Sequence, residues 1–82
     1  LSPLESRLMD LIWAAGHATA ESLTQALGGE LTNASVRTLL RRMERKGFLT
    51  HHTEGREFVY APVIDRAAAG RSALTRVVQH FY

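Results

Sequence analysis

The sequence predicts an α+β domain in which three helices precede a β-hairpin, and three observations predict it. Residues 32–47 read as a capped helix with one apolar and one arginine-rich face, closed by a glycine. Two segments rich in β-type residues follow it, separated by a tight turn. Two other helical patterns precede it, an order typical of a helix-turn-helix with a hairpin wing. We therefore expect a winged helix-turn-helix with a three-helix core and a C-terminal dimerisation helix.

The first helix carries a complete start signal. Ser2 is a suitable N-cap, Pro3 suits the first helical position, and Glu5 completes a capping box. Gly16 is expected to end the helix. The apolar face is predicted from side chains that recur at helical spacing, widened by Met9 and Trp13: Leu4, Leu8, Leu11, Ile12 and Ala15.

A short second helix is expected after a brief connector. Residues 17–19 are too few for more than a connector or a single strand bridge, and Thr19 can cap a helix over residues 20–27. Its apolar positions are Leu23, Ala26 and Leu27. Gly28 and Gly29 stop this helix and begin the turn of a helix-turn-helix.

The third helix divides into two faces. Thr32 is expected to cap it, and it runs to about Lys46 with Gly47 in the left-handed C-terminal position. One face is apolar and consists of Val36, Leu39, Leu40 and Met43. The opposite face, at 100° per residue, consists of Ala34, Thr38, Arg41 and Arg45. Such a helix can be anchored by one face while the other enters a DNA major groove.

The hairpin is predicted over residues 48–53 and 57–61, with its turn at Glu54-Gly55. Pro62 is expected to end the second strand. We place the winged-helix DNA-binding domain at residues 1–63 and the start of the C-terminal dimerisation helix at residues 64–82.

The C-terminal helix is expected to begin near Asp65. Its seam follows the coiled-coil-like 3-4-3-4 spacing of Ala67, Gly70, Leu74, Val77 and Phe81. Val78 beside this seam is also a predicted dimerisation residue. The stripe is longer than a small core needs, which favours dimerisation, although packing against the first helix is the simpler alternative. The apolar pattern is still running at Tyr82, so we expect this region to continue further.

Positive charge is concentrated on the third helix and the hairpin. Residues 33–58 hold six basic and three acidic side chains, and the rest of the chain holds four basic and five acidic ones. A basic surface on one element is typical of a phosphate-facing site, whereas a solvated arginine-rich face is the alternative. The candidate DNA contacts are Thr32, Asn33, Ser35, Arg37, Thr38, Arg41, Arg42, Arg45 and Arg56. For Thr32 a plain helix cap is the competing role, and for Arg56 an exposed turn position.

Length and composition restrict the possible functions. The chain has 82 residues, enough for one small core, and no cysteine, which fits a reducing cytoplasm. No apolar run approaches the roughly 20 residues that span a bilayer. The sequence lacks a Gly-rich phosphate loop and a nucleophile motif, so we expect no enzyme and no cofactor. His51 and His52 are adjacent in a strand and point to opposite faces, which disfavours a metal site.

Three ordered blocks resemble the penicillinase-repressor family of bacterial winged-helix regulators, the BlaI/MecI/CopY group. The first block, L-S-P-L-E-S-R-L-M-D-L-I-W, is similar to that family's first helix at Leu1, Ser2, Glu5, Met9, Ile12 and Trp13. The second runs from Ser35 to Leu49 and is similar to the family's T-V-R-T-L-L-x-R-L-x-x-K-G-x-L. The third, G-R-E-F-V-Y-A-P over residues 55–62, resembles its wing and second strand.

The resemblance implies a cytoplasmic transcriptional repressor that binds a palindromic operator in double-stranded DNA as a homodimer. It places the recognition helix over residues 32–46, with Ser35, Arg37, Thr38 and Arg42 at matching positions. Asn33 and Ala34 replace a proline and a lysine of some members, so the operator sequence does not transfer. Members that respond to β-lactams are inactivated by a protease acting on the C-terminal region, and copper-responsive members carry cysteine motifs there. The inducing signal and the regulated genes stay open.

Two other functions fit the same fold. A winged helix can bind a protein instead of DNA, and fold alone does not decide between them. The arginines of the third helix favour DNA, because a protein-binding surface is more often apolar or acidic there. A metal- or ligand-sensing helix-turn-helix repressor of another family is the second alternative, and metal-dependent release of DNA would support it.

Overall fold

The computed structural model describes residues 1–63, which form three helices and an antiparallel hairpin. In chain order the elements are α1 (Pro3–Ala15), α2 (Ala20–Ala26), α3 (Asn33–Arg45), β1 (Leu49–Glu54) and β2 (Glu57–Pro62). The predicted C-terminal helix, with its proposed dimerisation residues, lies outside the described residues. Within residues 1–63 the element order is the predicted one.

The capping box of α1 forms as predicted. The Ser2 hydroxyl accepts a hydrogen bond from the Glu5 backbone N–H at 3.2 Å, and the Ser2 N–H donates to Glu5 Oε1 at 3.0 Å. Gly16 ends the helix with a φ of 88°. The prediction that Ala15 lies on the buried face is wrong. Residues 14–17 are all exposed, because the last turn of the helix extends past the core.

The connector before α2 makes the predicted strand bridge. Ala18 pairs with Tyr60 of β2 through two backbone hydrogen bonds, at 2.9 and 2.8 Å. Thr19 then caps α2, where its side chain accepts from the Ser22 N–H. Leu27 is the C-cap of α2 and is buried. Ala26 was predicted to lie on the apolar face, but this prediction is wrong because Ala26 is exposed. The bridge holds the start of α2 against the hairpin.

The hairpin is shifted slightly from its predicted bounds. Glu54 pairs with Glu57, so the two-residue turn consists of Gly55 and Arg56 instead of Glu54 and Gly55. Gly55 has a φ of 62°, in the region that a glycine adopts without strain. Phe48 precedes β1, and its carbonyl accepts a hydrogen bond from the Val63 N–H. The turn therefore presents Arg56 at the tip of the wing.

One core joins the helices to the hairpin. It consists of buried Leu8, Met9, Ile12, Ala18, Leu23, Leu27, Val36, Leu40, Met43, Leu49 and Tyr60. Glu5 is the buried charged side chain of residues 1–63, with 1% of its surface exposed. No helix in the described part of the chain is both long and apolar enough to cross a membrane.

Candidate nucleic-acid interface

Helix α3 has the two faces that its sequence predicts. Val36, Leu40 and Met43 are completely buried, and α3 packs through this face on α2 and β1. Its four arginines are all exposed: Arg37, Arg41, Arg42 and Arg45. The buried face fixes the helix in the domain, so the arginine face is left for a partner.

A cleft of about 480 Å³ lies between α3, the start of α2 and the β2 side of the wing. It brings together four of the predicted contact residues, Asn33, Arg37 and Arg41 from α3 and Arg56 from the wing tip. Arg42 and Arg45 do not line it. The predicted arginines therefore fall into two groups, one facing the cleft and one on the outer surface of α3.

Ion pairing distinguishes these arginines from the other cations. Residues 1–63 contain seven basic side chains, and two of them are paired: Arg7 with Glu30 at 2.8 Å and Lys46 with Glu5 at 3.2 Å. Within the same residues the other five make no ion pair with a carboxylate: Arg37, Arg41, Arg42, Arg45 and Arg56. The unpaired cations are therefore those of the candidate interface.

The hydroxyl groups that were predicted to contact DNA form hydrogen bonds within α3 and its N-cap. The Thr32 hydroxyl accepts from the Ser35 N–H and donates to Ser35 Oγ, each at 3.1 Å. The Thr38 hydroxyl donates to the Ala34 carbonyl at 3.1 Å. Thr32 is thus the N-cap of α3, which is the role that the sequence predicted as the alternative to a DNA contact. Of these three side chains, Ser35 keeps its hydroxyl hydrogen available to a ligand.

Two carboxylates of the cleft were not anticipated from the sequence. Glu21 at the start of α2 and Glu57 of β2 line it together with Thr19, Ala20, Phe58 and Tyr60. Glu21 accepts a hydrogen bond from Gln25 Nε2 at 3.0 Å. Glu21 and Glu57 reduce the net positive charge of the cleft. Arg42 and Arg45, on the outer surface of α3, therefore carry a larger share of the net positive charge of the whole interface.

A second unanticipated feature connects the wing to α3. The His51 Nδ1 of β1 lies 2.7 and 2.8 Å from the two carboxylate oxygens of Glu44. The His51 ring stacks on Phe58 with centroids 4.2 Å apart, and Tyr60 lies beside both rings. Burial raises the pKa of Tyr60, as does the nearby Glu44 carboxylate, whereas Arg41 acts to lower it. No spacing in the sequence indicates this contact, because it depends on how the hairpin folds back.

The buried Glu5 links the two ends of the helical core. Beyond its capping role, its carboxylate accepts hydrogen bonds from Lys46 Nζ, the C-cap of α3, with both oxygens at 3.2 Å. The backbone N–H of Ser2 is the main cause that lowers the pKa of Glu5, and Lys46 adds to it against the opposing effect of burial. The capping-box pattern identified Glu5 but gave no indication of Lys46.

Metal ligands do not gather in the described part of the chain. Residues 1–63 contain no group of three or more histidine, cysteine, aspartate or glutamate side chains able to hold an ion. His51 faces α3, whereas His52 lies on the other side of β1 and pairs with Glu54 at 2.8 Å. The two histidines point apart, as their adjacent positions predict.

Comparison with known proteins identifies the family. The sequence profile of the penicillinase repressor family matches residues 1–82. The penicillinase repressor of Bacillus licheniformis is 35% identical over 69 residues, covering 82% of this chain and 54% of that protein. An uncharacterized 16.5 kDa protein of Latilactobacillus sakei is 27% identical over 78 residues, 93% of this chain and 53% of that protein. The chain thus spans about half the length of these curated relatives.

A solved structure supports the same assignment. The solution structure of the DNA-binding domain of the repressor BlaI superposes with a TM-score of 0.73 and 33% sequence identity, over 83% of this chain and 85% of that domain. This similarity confirms the predicted winged helix-turn-helix. The family is one of repressors and not of enzymes. This chain belongs to the penicillinase repressor family.

Proposed function

We propose that this chain is a DNA-binding transcriptional repressor that reads its operator with α3. The observation that carries the proposal is the set of five unpaired arginines on α3 and the wing tip. The two other cations of residues 1–63, Arg7 and Lys46, are each paired with a glutamate. An unpaired guanidinium can bind a phosphate or a guanine without first losing a carboxylate. The similarity to the DNA-binding domain of BlaI supports the same function.

The geometry suggests a division of roles among these side chains. Arg42, Arg45 and Thr38 lie on the outer part of α3, which would enter the major groove. Arg37, Arg41, Asn33 and Arg56 line the cleft beside it. A DNA backbone that borders the groove holding α3 would pass over this cleft. The cleft arginines would therefore bind phosphates, and Ser35 and Thr32 would lie at the N-terminal end of the helix, which favours an anion.

The salt dependence of DNA binding tests the proposal. We would titrate the full chain into a labelled 30-bp duplex of mixed sequence and follow fluorescence anisotropy over a range of salt. Each neutralised phosphate contributes about −0.9 to the slope of log K against log salt. Changing both Arg37 and Arg41, the two cleft arginines of α3, to Ala should make the slope shallower by about 1.8, because each of them is proposed to bind a phosphate.

A matched control is Arg7→Ala, which removes an exposed arginine that is paired with Glu30 and lies on α1. This variant should keep the slope of the wild-type chain. A change of slope in Arg7→Ala half as large as in the double variant, which removes twice the charge, would mean that only net charge matters. A folded chain without salt-sensitive binding would instead favour a protein-binding winged helix.

We further propose that the repressor acts as a homodimer on a palindromic operator. A two-fold symmetric dimer places its two recognition helices on half-sites roughly 10 bp apart or a multiple of that. Coiled-coil-like spacing in the C-terminal region is followed by Ala67, Gly70, Leu74, Val77 and Phe81, and Val78 lies beside this seam. A dimer on the operator would block RNA polymerase.

Sedimentation of a Phe81→Glu variant tests the seam. A charge at an apolar seam position should shift a dimer towards the monomer, because the carboxylate would have to be buried without a partner. An unchanged sedimentation coefficient would refute this role for the seam. Selection of preferred duplexes from a random library would show separately whether the operator is palindromic.

Cytoplasmic location and control by a protease also belong to this proposal. A repressor acts on the chromosome, so a bacterial chain with this function would work in the cytoplasm. An inactivating protease would cut in the C-terminal region, as the resemblance to β-lactam-responsive members implies. Appearance of a shorter chain after exposure of the cells to a β-lactam would support such control.

A further inference from the structure

The contact between Glu44 and His51 differs from an ordinary surface ion pair. Both side chains are partly buried, with 30% and 29% of their surface exposed. Both carboxylate oxygens lie within hydrogen-bond distance of the same ring nitrogen. Phe58 stacks on the imidazole with an interplanar angle of 19°, which fixes the orientation of the ring. The pair is therefore held in one geometry from two sides.

The neighbouring pair on the same strand provides a natural comparison. His52 and Glu54 are as close, at 2.8 Å, but 60% and 69% exposed. They lie on one strand, two residues apart, and do not connect β1 to another element. Exposed pairs of this kind contribute little. The Glu44–His51 pair connects two elements, since Glu44 belongs to the recognition helix and His51 to the wing.

The position of this contact relates it to the candidate interface. Glu44 lies one helical turn after Arg41, and Phe58, which stacks on His51, lines the same cleft as Arg41 and Arg56. A movement of the wing about its base would change the distance between Arg56 and the arginines of α3. The Glu44–His51 contact opposes such a movement.

We propose that Glu44 and His51 are positioning residues that fix the wing against the recognition helix, so that Arg56 and the α3 arginines engage one DNA duplex together. The proposal rests on the proposed DNA-binding function. His51 has a second effect, because it occupies a carboxylate that would otherwise face the DNA phosphates close to Arg41. Loss of His51 should therefore weaken DNA binding more than replacement of Glu44 by a neutral glutamine.

A double-mutant cycle with Arg56 tests the positioning role. Anisotropy with the mixed-sequence 30-bp duplex would be measured for Arg56→Ala in the wild-type chain and in a His51→Ala chain. In the wild-type chain Arg56→Ala should weaken binding about five-fold or more. In the His51→Ala chain the loss should shrink to less than about two-fold, because Arg56 is no longer held in place. Effects of independent residues combine to within about two-fold, so equal losses in both chains would overturn the proposal.

Two further variants separate positioning from stability. His51→Asn keeps an N–H donor near the position of the ring nitrogen, so Arg56→Ala should weaken DNA binding in this chain almost as much as in the wild-type chain. If Arg56→Ala had as little effect in the His51→Asn chain as in the His51→Ala chain, the role of the hydrogen bond would be overturned. His52→Ala removes the neighbouring histidine on the other face of β1 and should keep the full Arg56 dependence. If His52→Ala reduced that dependence as much as His51→Ala does, the Glu44 contact would have no special role.

A measurement without DNA keeps this proposal separate from the proposed function. The chain has no cysteine, so spin labels on introduced cysteines at Ala34 and Glu54 would report the distance from α3 to the wing. The distance distribution should be narrow in the wild-type chain and in His51→Asn, and clearly broader in His51→Ala. An unchanged distribution in His51→Ala would overturn the positioning role. A broadened distribution, together with no DNA binding by the wild-type chain, would uphold the positioning of the wing and refute the DNA-binding function.

Discussion

Replacing Leu40 by Ala should destabilise the domain severely while leaving the arginine face intact. Leu40 is completely buried on α3, on the face that packs against α2 and β1. Its side chain points away from the exposed arginines of the same helix. The substitution therefore tests whether α3 is anchored by its apolar face, independently of what the other face binds.

The expected magnitude follows from the burial of Leu40. The change removes three carbon atoms, and each buried methyl or methylene group contributes about 0.8 kcal/mol, or about 2.4 kcal/mol together. The cavity left behind raises the loss to about 3 kcal/mol, since the surrounding core relaxes only in part. A chain of this length has a free energy of unfolding of roughly 4–12 kcal/mol. Leu40→Ala should thus remove a quarter or more of the total.

Urea denaturation followed by far-UV circular dichroism measures this loss. The midpoint should fall while the m-value stays constant, because the surface exposed on unfolding is almost the same. The control is Leu1→Ala, which removes the same three carbon atoms from a leucine that is 54% exposed. This change should lower the free energy of unfolding by less than about 0.5 kcal/mol. A loss below about 1 kcal/mol at Leu40, or equal losses at both positions, would refute the packing described for α3.

Three further predictions concern other parts of the domain. Changing Arg42 to Ala should weaken binding to duplex DNA without lowering the melting temperature, and a parallel loss of stability in thermal denaturation would make Arg42 structural. The pKa of Glu5 is lowered in the folded chain, so its carboxylate stabilises the fold at pH values above the ordinary glutamate pKa, and this contribution is lost as the pH falls through the folded value. Urea unfolding between pH 7 and pH 3 should therefore show a smaller decline for Glu5→Gln than for the wild-type chain, and identical declines would contradict the assigned pKa direction. Changing Gly47 to Ala should cost about 1 kcal/mol or more in unfolding free energy, because Gly47 has a φ of 93°, and an unchanged midpoint would show that the backbone can relax there.

The elements of the domain could be predicted because their signals are local. A capping residue lies within three or four positions of the groups that it caps, and a glycine of positive φ ends a helix where it stands. Ser2, Thr19, Thr32 and Gly16 were therefore assigned correctly. Ala15 and Ala26 were misassigned because a small apolar residue fits the periodicity of a helix whether or not the core reaches that turn.

The contacts that organise the interface could not be predicted, because they join residues from different elements. Glu5 was identified as a cap, but its pairing with Lys46 depends on how the start of α1 meets the end of α3. The Glu44–His51 contact depends in the same way on the hairpin folding back on α3. The sequence showed which arginines share a helix face, whereas their separation into cleft-lining and outer groups required the position of the wing.

The bridge between Ala18 and Tyr60 has a consequence for the order of folding. It pairs a residue that follows the first helix with one near the end of the described chain, so a large loop must close before its two hydrogen bonds can form. Local helices form much faster than such long-range pairings. We expect the amide protons of Ala18 and Tyr60 to exchange with solvent only when the whole domain unfolds, and the wing to be completed late. A nascent chain would then acquire its full reading surface only after β2 has left the ribosome.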